Sequence, residues 1–456
     1  NENFQDMENS YDTSLIRGFY IDIECPSDHG FPEPAKAEWA IDSMTIIDTL
    51  TQKRMVWSLY DYDISTQLEE LIKGGVDPDD VIHVFCSDEV ELLSGVMEYW
   101  SNNFPAYVTG WNSNGFDMPY FHNRLQRLGF DVNKLSPWNS VRYEEDEYQG
   151  RTTFRINISG VALLDYLDLY KKNRFVPREN YKLGFIAECE LGKDKTDFSE
   201  TAANLKTLNK ADPSLYVTYN IVDTELVYQF EKKLGFINIT FAVAYAAGIN
   251  FDAVSSPVGT WENIFYRKLI KDNVILPPKK RNEKVGFEGG YVKPPQVGKH
   301  KWVCSFDLNS LYPHLIMQYN ISPETIMPNF VPVDVDSMVA RTPFDGPSKK
   351  GQKLDYAVCP TGNTFRKDKY GVLGQEMERL YSERKTIKQE GLVHEQDAIN
   401  IEECINKGVQ DADLMVKYSS STMNEALEAA NKMAGLKHGG EMVRKILLNS
   451  AYGALA

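Results

Sequence analysis

From Gly18 to Glu24 the chain reads Gly-Phe-Tyr-Ile-Asp-Ile-Glu. Apolar and polar positions alternate with period two, so the stretch predicts a strand with Ile21 and Ile23 on one face and Asp22 and Glu24 on the other. Pro26, Gly30, Pro32 and Pro34 then predict a long loop. Alternation resumes from Ile41 to Tyr60, as one or two further strands of the same sheet, and Val81 to Cys86 reads as another short strand. From Asp88 to Tyr99 the period becomes helical, with Val90, Leu92, Leu93, Val96 and Met97 on the apolar face. A short strand ends at Gly110, and the turn Asn112-Ser113-Asn114-Gly115 leads into a helix near Pro119. Val161 to Tyr170 predicts a buried strand carrying Asp165 and Asp168. Asp212-Pro213 has the form of an N-cap and first helical residue, and that helix runs to about Lys233, with Gly235 as its stop.

Beyond it, residues 236–278 predict helices and loops, with an amphipathic run from Trp261 to Ile270. Val303, Cys304 and Phe306 form an apolar, β-leaning run that ends at Asp307. Ser310-Leu311-Tyr312-Pro313 follows and predicts a turn, because the residue before a proline leaves the helical region. Residues 331–365 are loop-rich. A helix begins near Gly374 and carries Arg384, Lys385 and Lys388, the first and last one turn apart. A second runs from about Thr422 to the end, with Gly439-Gly440 as a candidate break. On it Lys445, Asn449 and Tyr452 form one stripe at i, i+4 and i+7.

The 456 residues suffice for two or three domains, and 42% hydrophobic with 25% charged residues is ordinary for a globular protein. The formal net charge of −16 speaks against a generally basic nucleic-acid surface and leaves room only for local clusters of Lys and Arg. The six cysteines form no Cys-x-x-Cys pair and the seven histidines no zinc spacing, so a reduced, cytoplasmic protein is expected. The most apolar stretch, Ile239 to Phe251, is too short to span a membrane.

Several acids sit where chemistry needs them, although each has an ordinary reading. Asp22 and Glu24 are one pleat apart and repel unless a cation or solvent lies between them. Asp117 stands at a helix start, where an acid commonly caps. Tyr219 and Asp223 share a helix face at i and i+4. Asp165 and Asp168 read as a solvated strand end. Asp307, closing an apolar run, suits a hard cation beside a phosphate.

Taken in order, Asp-x-Glu on a strand, Asn-x-x-x-Phe-Asp at a helix start and Tyr-x-x-x-Asp on a later helix resemble the three proofreading exonuclease motifs of DNA polymerases. Asp-x-x-Ser-Leu-Tyr-Pro (307–313) resembles the first catalytic motif of family B DNA polymerases, and Lys-x-x-x-Asn-Ser-x-Tyr-Gly (445–453) resembles that family's fingers motif. Phe287-Glu288-Gly289-Gly290-Tyr291 resembles its Tyr-x-Gly-Gly connection, with Phe in place of the first Tyr. Gly-Phe-Pro-Glu-Pro (30–34), Asp-Leu-Tyr-Lys-Lys (168–172) and Asn-Ile-Ser-Pro-Glu-Thr (320–325) resemble the T-even-type bacteriophage branch of that family.

The resemblance implies an α/β architecture: an RNase H-like 3′→5′ exonuclease domain over 18–235, part of a polymerase palm over 287–370 and a helical-hairpin fingers domain over 371–456. Residues 1–17 would be the remnant of an N-terminal domain and 236–286 a connecting segment. It implies that Asp22, Glu24, Asp117 and Asp223 hold two Mg²⁺ ions, with Mn²⁺ as a substitute, that Tyr219 orients the attacking water and that Phe116 stacks on 3′ bases. Asp307, with the backbone of Leu308, would bind the polymerase metals. Ser310 and Leu311 would line the nucleotide site, and Tyr312 would pack under the incoming sugar. Arg384, Lys388 and Lys445 would grip the triphosphate, Asn449 and Tyr452 would pack at the nascent base pair, and Gly289, Gly290 and Tyr291 would meet DNA. Implied partners are primer-template DNA, deoxynucleotides, a sliding clamp and a single-strand-binding protein, in the cytoplasm of a host cell if the gene is a phage's.

The family's second palm carboxylate, in a Tyr-Gly-Asp-Thr-Asp-type string, has no counterpart in the 456 residues. The expectation is therefore one part of a longer or split polymerase, with proofreading but no polymerisation of its own. The alternatives are a stand-alone single-strand exonuclease, against which Tyr312, Lys445 and Asn449 in register count, and a non-catalytic replisome component, against which the four acids count.

Overall fold

The computed structural model describes residues 13–26, 30, 32–148, 151–174, 176–193, 195–199, 201–202, 205–275, 292–334 and 355–455. Gly289, Gly290 and Tyr291, with the rest of that motif, lie outside them. The chain divides into two compact units, Asn1–Ala246 with Asn250–Val254, and Ala247–Ile249 with Ser255–Ala456.

The first unit is built on a six-stranded sheet. Its strands are β1 (Gly18–Glu24), β2 (Ser43–Asp48), β3 (Arg54–Ser58), β4 (Val81–Phe85), β5 (Tyr107–Thr109) and, after a separate hairpin of β6 (Val141–Tyr148) and β7 (Arg151–Ile158), β8 (Ala162–Leu163). The sheet order is β4-β3-β2-β1-β5-β8. Strands β1, β2 and β3 are antiparallel neighbours, while β5 runs parallel to β1 and β8 parallel to β5. Helices α1 (Leu68–Gly74), α2 (Glu89–Asn102), α3 (Asp117–Arg127), α4 (Tyr166–Asn173), α5 (Leu183–Leu191), α6 (Leu205–Ala211) and α7 (Pro213–Leu234) cover it.

The alternation of β1 decides what each face meets. Phe19, Ile21 and Ile23 enter a core with Leu92, Val96 and Trp100 of α2 and Met118 and Phe121 of α3. Tyr20, on the other face, packs with Val222 and Leu226 of α7. The Asp212 side chain caps α7 by accepting from the Leu215 N–H, Pro213 takes the first helical position, and Gly235 ends the helix at φ 66°. Every residue from Leu215 to Tyr228 is buried, so α7 is a central helix with no solvent stripe.

The second unit holds α8 (Phe236–Ala247) only at its final residue, then α9 (Pro257–Lys271), α10 (Leu311–Tyr319), α11 (Val372–Lys407), α12 (Ala412–Lys417) and α13 (Met423–Leu455). Strands β9 (Ile326–Phe330), β10 (Tyr356–Val358) and β11 (Asn363–Arg366) form a small sheet in the order β10-β11-β9. Helices α11 and α13 form an antiparallel hairpin: Glu383 pairs with Arg444, Glu390 with Lys437, and Ile401 shares a core with Met423.

Five expectations need correction. Val161 to Tyr170 is not one strand: β8 stops at Leu163, and Asp165 caps α4 by accepting from the Leu167 N–H. The run before Asp307 forms no strand. Val303 and Phe306 are 75% and 93% exposed, and none of the described residues pairs with their backbone, without which an apolar run has no ladder to join. The bend precedes Tyr312: Ser310 adopts φ 53°, and α10 starts at Leu311 with Pro313 in its first turn, where a missing N–H costs nothing. Helix α13 runs through Gly439-Gly440 unbroken. A Cβ on Gly440 would meet Ile387 of α11 at 3.4 Å, an ordinary contact distance, so neither glycine is a forced break in the helix. Within the stretch expected to be loop-rich, β10 and β11 also form. Among the described residues no helix is long and apolar enough to cross a membrane.

Candidate active site

Asp22 and Glu24 leave β1 on the face that meets α7. In the β1–β2 register they stand opposite Thr45 and Ser43. From α7, Asn220 sends its side-chain N–H to Asp22 Oδ2 at 2.6 Å and accepts from the hydroxyls of Thr45 at 2.6 Å and Ser43 at 3.1 Å. Tyr219 and Asp223 flank it on the same helix.

Asp117 arrives from the opposite side of the sheet's end. It is the first residue of α3, yet its carboxylate caps nothing: Oδ1 accepts from the N–H of Ile23, in β1, at 3.3 Å. The turn before it is braced by Asp165, which accepts from the N–H groups of Asn112 at 3.1 Å and Asn114 at 2.9 Å. Asn112 takes φ 66°, a conformation Asn tolerates. Phe116 is half-buried against the core, its ring 5.5 Å from that of Tyr120.

The acids feel one another. Burial, then Asp117, Glu24 and Asp223, raise Asp22 well above the usual carboxylate range, with Lys195 opposing. Burial and Asp223 push Glu24 up to about 8. Burial pushes Asp117 up to about 7 against the pull of the Ile23 N–H. Burial also raises Asp223, against Lys195 and Tyr219. Each buried charge lacks water, and each neighbour of the same sign adds to the cost of ionising.

One cation answers them. Lys195 Nζ forms an ion pair with Asp223 Oδ2 and donates to the Tyr219 hydroxyl at 2.8 Å. Burial alone would lower its pKa, but Asp223 and Tyr219 outweigh that and raise it. Asp223 Oδ1 is buried with no hydrogen-bond partner among the described residues. Among those residues, no three His, Cys, Asp or Glu side chains form a ready-made cation cage. The quartet therefore lies within electrostatic range, short of a closed ligand shell. Its donors are hard carboxylate oxygens, one orphaned, with excess negative charge, and such a set fits a divalent cation of the Mg²⁺ class.

Lys195, Asn220 and Asp42 escaped the sequence reading, and Asp165 reads there only as a strand end. Asp42 donates its N–H to the carbonyl of Glu24, and its carboxylate accepts from Tyr60 and Tyr216; burial pushes it up to about 6 against those bonds. Asn220 had a signal, since it lies one turn before Asp223 on a helix that must face the acids. Lys195 had none, in a polar loop after Gly192.

In the second unit, Tyr312 and Tyr452 stack with centroids 4.6 Å apart and planes 10° apart. Arg384 pairs with Glu441 at 2.7 Å and reaches the Ser310 hydroxyl at 3.4 Å. Asp307, Leu308, Lys388 and Asn449 are exposed, and Leu311 is 40% exposed. Lys445 is half-buried on α13.

Residues 4–186 match the family model for the exonuclease domain of DNA polymerase family B, and residues 260–410 match that for DNA polymerase family B itself. The DNA-directed DNA polymerases of Escherichia phage RB69 and Enterobacteria phage T4 are each 31% identical, over 98% of this chain and 52% of the relative. The DNA polymerase catalytic subunit of human herpesvirus 7 is 26% identical over 81% of this chain and 36% of the relative. The chain thus spans about half the length of the two phage polymerases. With both family models matching in order and the likeness running nearly end to end, the chain belongs to DNA polymerase family B.

Proposed function

We propose that the first unit is an RNase H-like 3′→5′ exonuclease that proofreads DNA by hydrolysing the 3′-terminal phosphodiester. The observation that carries this reading is the approach of four acids from three separated segments at the end of β1, Asp117 and Asp223 buried and Asp22 and Glu24 half-buried. The sheet supports it as well: antiparallel β1, β2 and β3 extended by parallel β5 and β8.

In this reading Asp22, Glu24, Asp117 and Asp223 hold two divalent metals, Mg²⁺ or Mn²⁺. The metals supply an activated water and stabilisation of the leaving oxygen. The rest falls to the chain. Burial and Asp223 raise the Tyr219 phenol above its ordinary pKa, so it stays protonated. Its oxygen already accepts from Lys195, which leaves its O–H to point at the attacking water. Lys195 offsets part of the negative charge that a phosphodiester brings to an acidic site. Phe116 offers a half-exposed ring on which a frayed base can stack.

The second unit, in the same reading, contributes part of the palm (287–370) and the fingers (371–456), joined to the exonuclease by 236–286. Asp307 and the Leu308 backbone serve the polymerase metals, and Ser310, Leu311 and Tyr312 line the nucleotide site. Arg384, Lys388 and Lys445 face the triphosphate, and Asn449 and Tyr452 the base pair. Gly289, Gly290 and Tyr291 contact DNA. The pairing of Arg384 with Ser310 and the stacking of Tyr312 on Tyr452 support one shared nucleotide site. Nucleotidyl transfer on primer-template DNA needs a second palm carboxylate besides Asp307; a clamp and a single-strand-binding protein are partners of the completed enzyme.

The test is digestion of a 5′-labelled single-stranded oligonucleotide with Mg²⁺, by the chain and by its Asp117→Ala variant. Stepwise loss of 3′ nucleotides is expected, slower in the variant by on the order of a thousandfold or more. Equal digestion by both would remove the assignment.

A further inference from the structure

We propose that Asn220 is a positioning residue for Asp22: it fixes which oxygen of that carboxylate faces the cation site. The inference rests on the exonuclease reading above.

Asn220 is fully buried, and its amide is engaged at both ends. Oδ1 accepts from Ser43 and Thr45, alternate residues on one face of β2, and Nδ2 donates to Asp22 Oδ2. The network decides the orientation of the amide. Turned over, Asn220 would set its oxygen against an oxygen of Asp22 in the ionised form that binds a cation, two acceptors in contact with no proton between them, and would turn its N–H groups away from that carboxylate. The two β2 hydroxyls supply donors to hold the amide the right way round. They stand in the β1–β2 register opposite Glu24 and Asp22, so the same cross-strand ladder that places the acids also places their brace. Asn220 also precedes Asp223 by one helical turn. A shift of α7 would therefore move Asp223 and the donor to Asp22 together.

The consequence is a division of labour within one carboxylate. Oδ2 of Asp22 is held by the amide, and Oδ1 is the oxygen presented to a metal. Without the amide, Asp22 can rotate about its terminal torsion, which is broad for an aspartate. A ligand that must be reoriented binds a cation more weakly, and partners that orient a ligand are worth about 10–100-fold in metal affinity.

The experiment compares the wild-type chain with Asn220→Leu and with Ser43→Ala/Thr45→Val, which leaves the amide but removes its brace. Mn²⁺ binding is followed by electron paramagnetic resonance without DNA, beside the Mg²⁺ concentration that half-saturates digestion of a single-stranded oligonucleotide. Circular dichroism in the absence of metal reports folding. Asn220→Leu is expected to weaken Mn²⁺ binding by about tenfold or more, and to raise the half-saturating Mg²⁺ in parallel. The double variant should move both the same way by a smaller factor. If Asn220→Leu does not fold, the double variant decides. Folded variants that bind Mn²⁺ as the wild type does would overturn the proposal while leaving the exonuclease reading intact. A wild-type chain that neither binds Mn²⁺ nor digests DNA would remove that reading, and this inference with it.

Discussion

Asp22, Glu24, Asp117 and Asp223 are all held above the ordinary carboxylate range, chiefly by burial. A buried acid of raised pKa keeps its proton in the fold after the unfolded chain has lost it. Stability is then undiminished below the ordinary value of 4.5 for a Glu and falls as pH climbs toward about 8, where Glu24 ionises in the fold. The metal-free protein should therefore melt at progressively lower temperature from about pH 5 to pH 8.5, and added Mg²⁺ should restore the loss, most strongly at the alkaline end. Scanning calorimetry with chelator and with Mg²⁺ checks this; a melting temperature indifferent to both would contradict it. At this scale the sequence revealed the acids, because each stands in a short string with fixed spacing. It did not reveal Lys195, whose ion pair with Asp223 joins residues 28 apart and leaves no periodic trace.

Elements were legible where their signals were local. Asp212, Pro213 and Gly235 bound α7 as their cap and stop chemistry requires, and the alternation of β1 sorted its two faces correctly. Misreadings came where tertiary context ruled. Asp165 reads as a strand end because its apolar neighbours are buried, yet it caps a helix and braces the turn before Asp117. The run ending at Asp307 reads as a strand because Val303 and Phe306 favour one, but a strand is a property of a pair.

Helix α11 shows the opposite case, an end secured by distant residues. No local side chain caps it, and Gly371, Val372 and Leu373 instead give their N–H groups to Asn320 Oδ1, Glu324 Oε1 and Ser322 Oγ. Asn320 also donates to the carbonyls of Arg366 and Lys369. The loop after α10, which carries Tyr312, thus seats the helix that carries Arg384. Asn320→Ala should cost about 2–4 kcal/mol, since three bonds of about 1 kcal/mol each are lost and buried groups are left unpaired. Hydrogen exchange at residues 371–373 should speed up, while exchange in α7 stays unchanged. Unaltered protection at 371–373 would count against the seat.

At the scale of the molecule, net charge and family membership point in different directions. A charge of −16 argues against nucleic-acid binding, yet the chain belongs to a family of DNA polymerases. Buried acids account for part of the discrepancy, because they gather inside a site and leave the surface to other residues. The exonuclease-like motif residues all fall in the first compact unit and Asp307, Tyr312, Arg384, Lys388, Lys445, Asn449 and Tyr452 in the second. Which chemistry each unit would carry is argued only from the order of the motifs, since neither composition nor periodicity assigns a role to a carboxylate. The most direct measurement is anomalous diffraction from crystals of the chain grown with Mn²⁺. The account predicts Mn²⁺ peaks among the carboxylates of Asp22, Glu24, Asp117 and Asp223; well-ordered crystals whose peaks lie elsewhere, or that show none at this cluster, would contradict it.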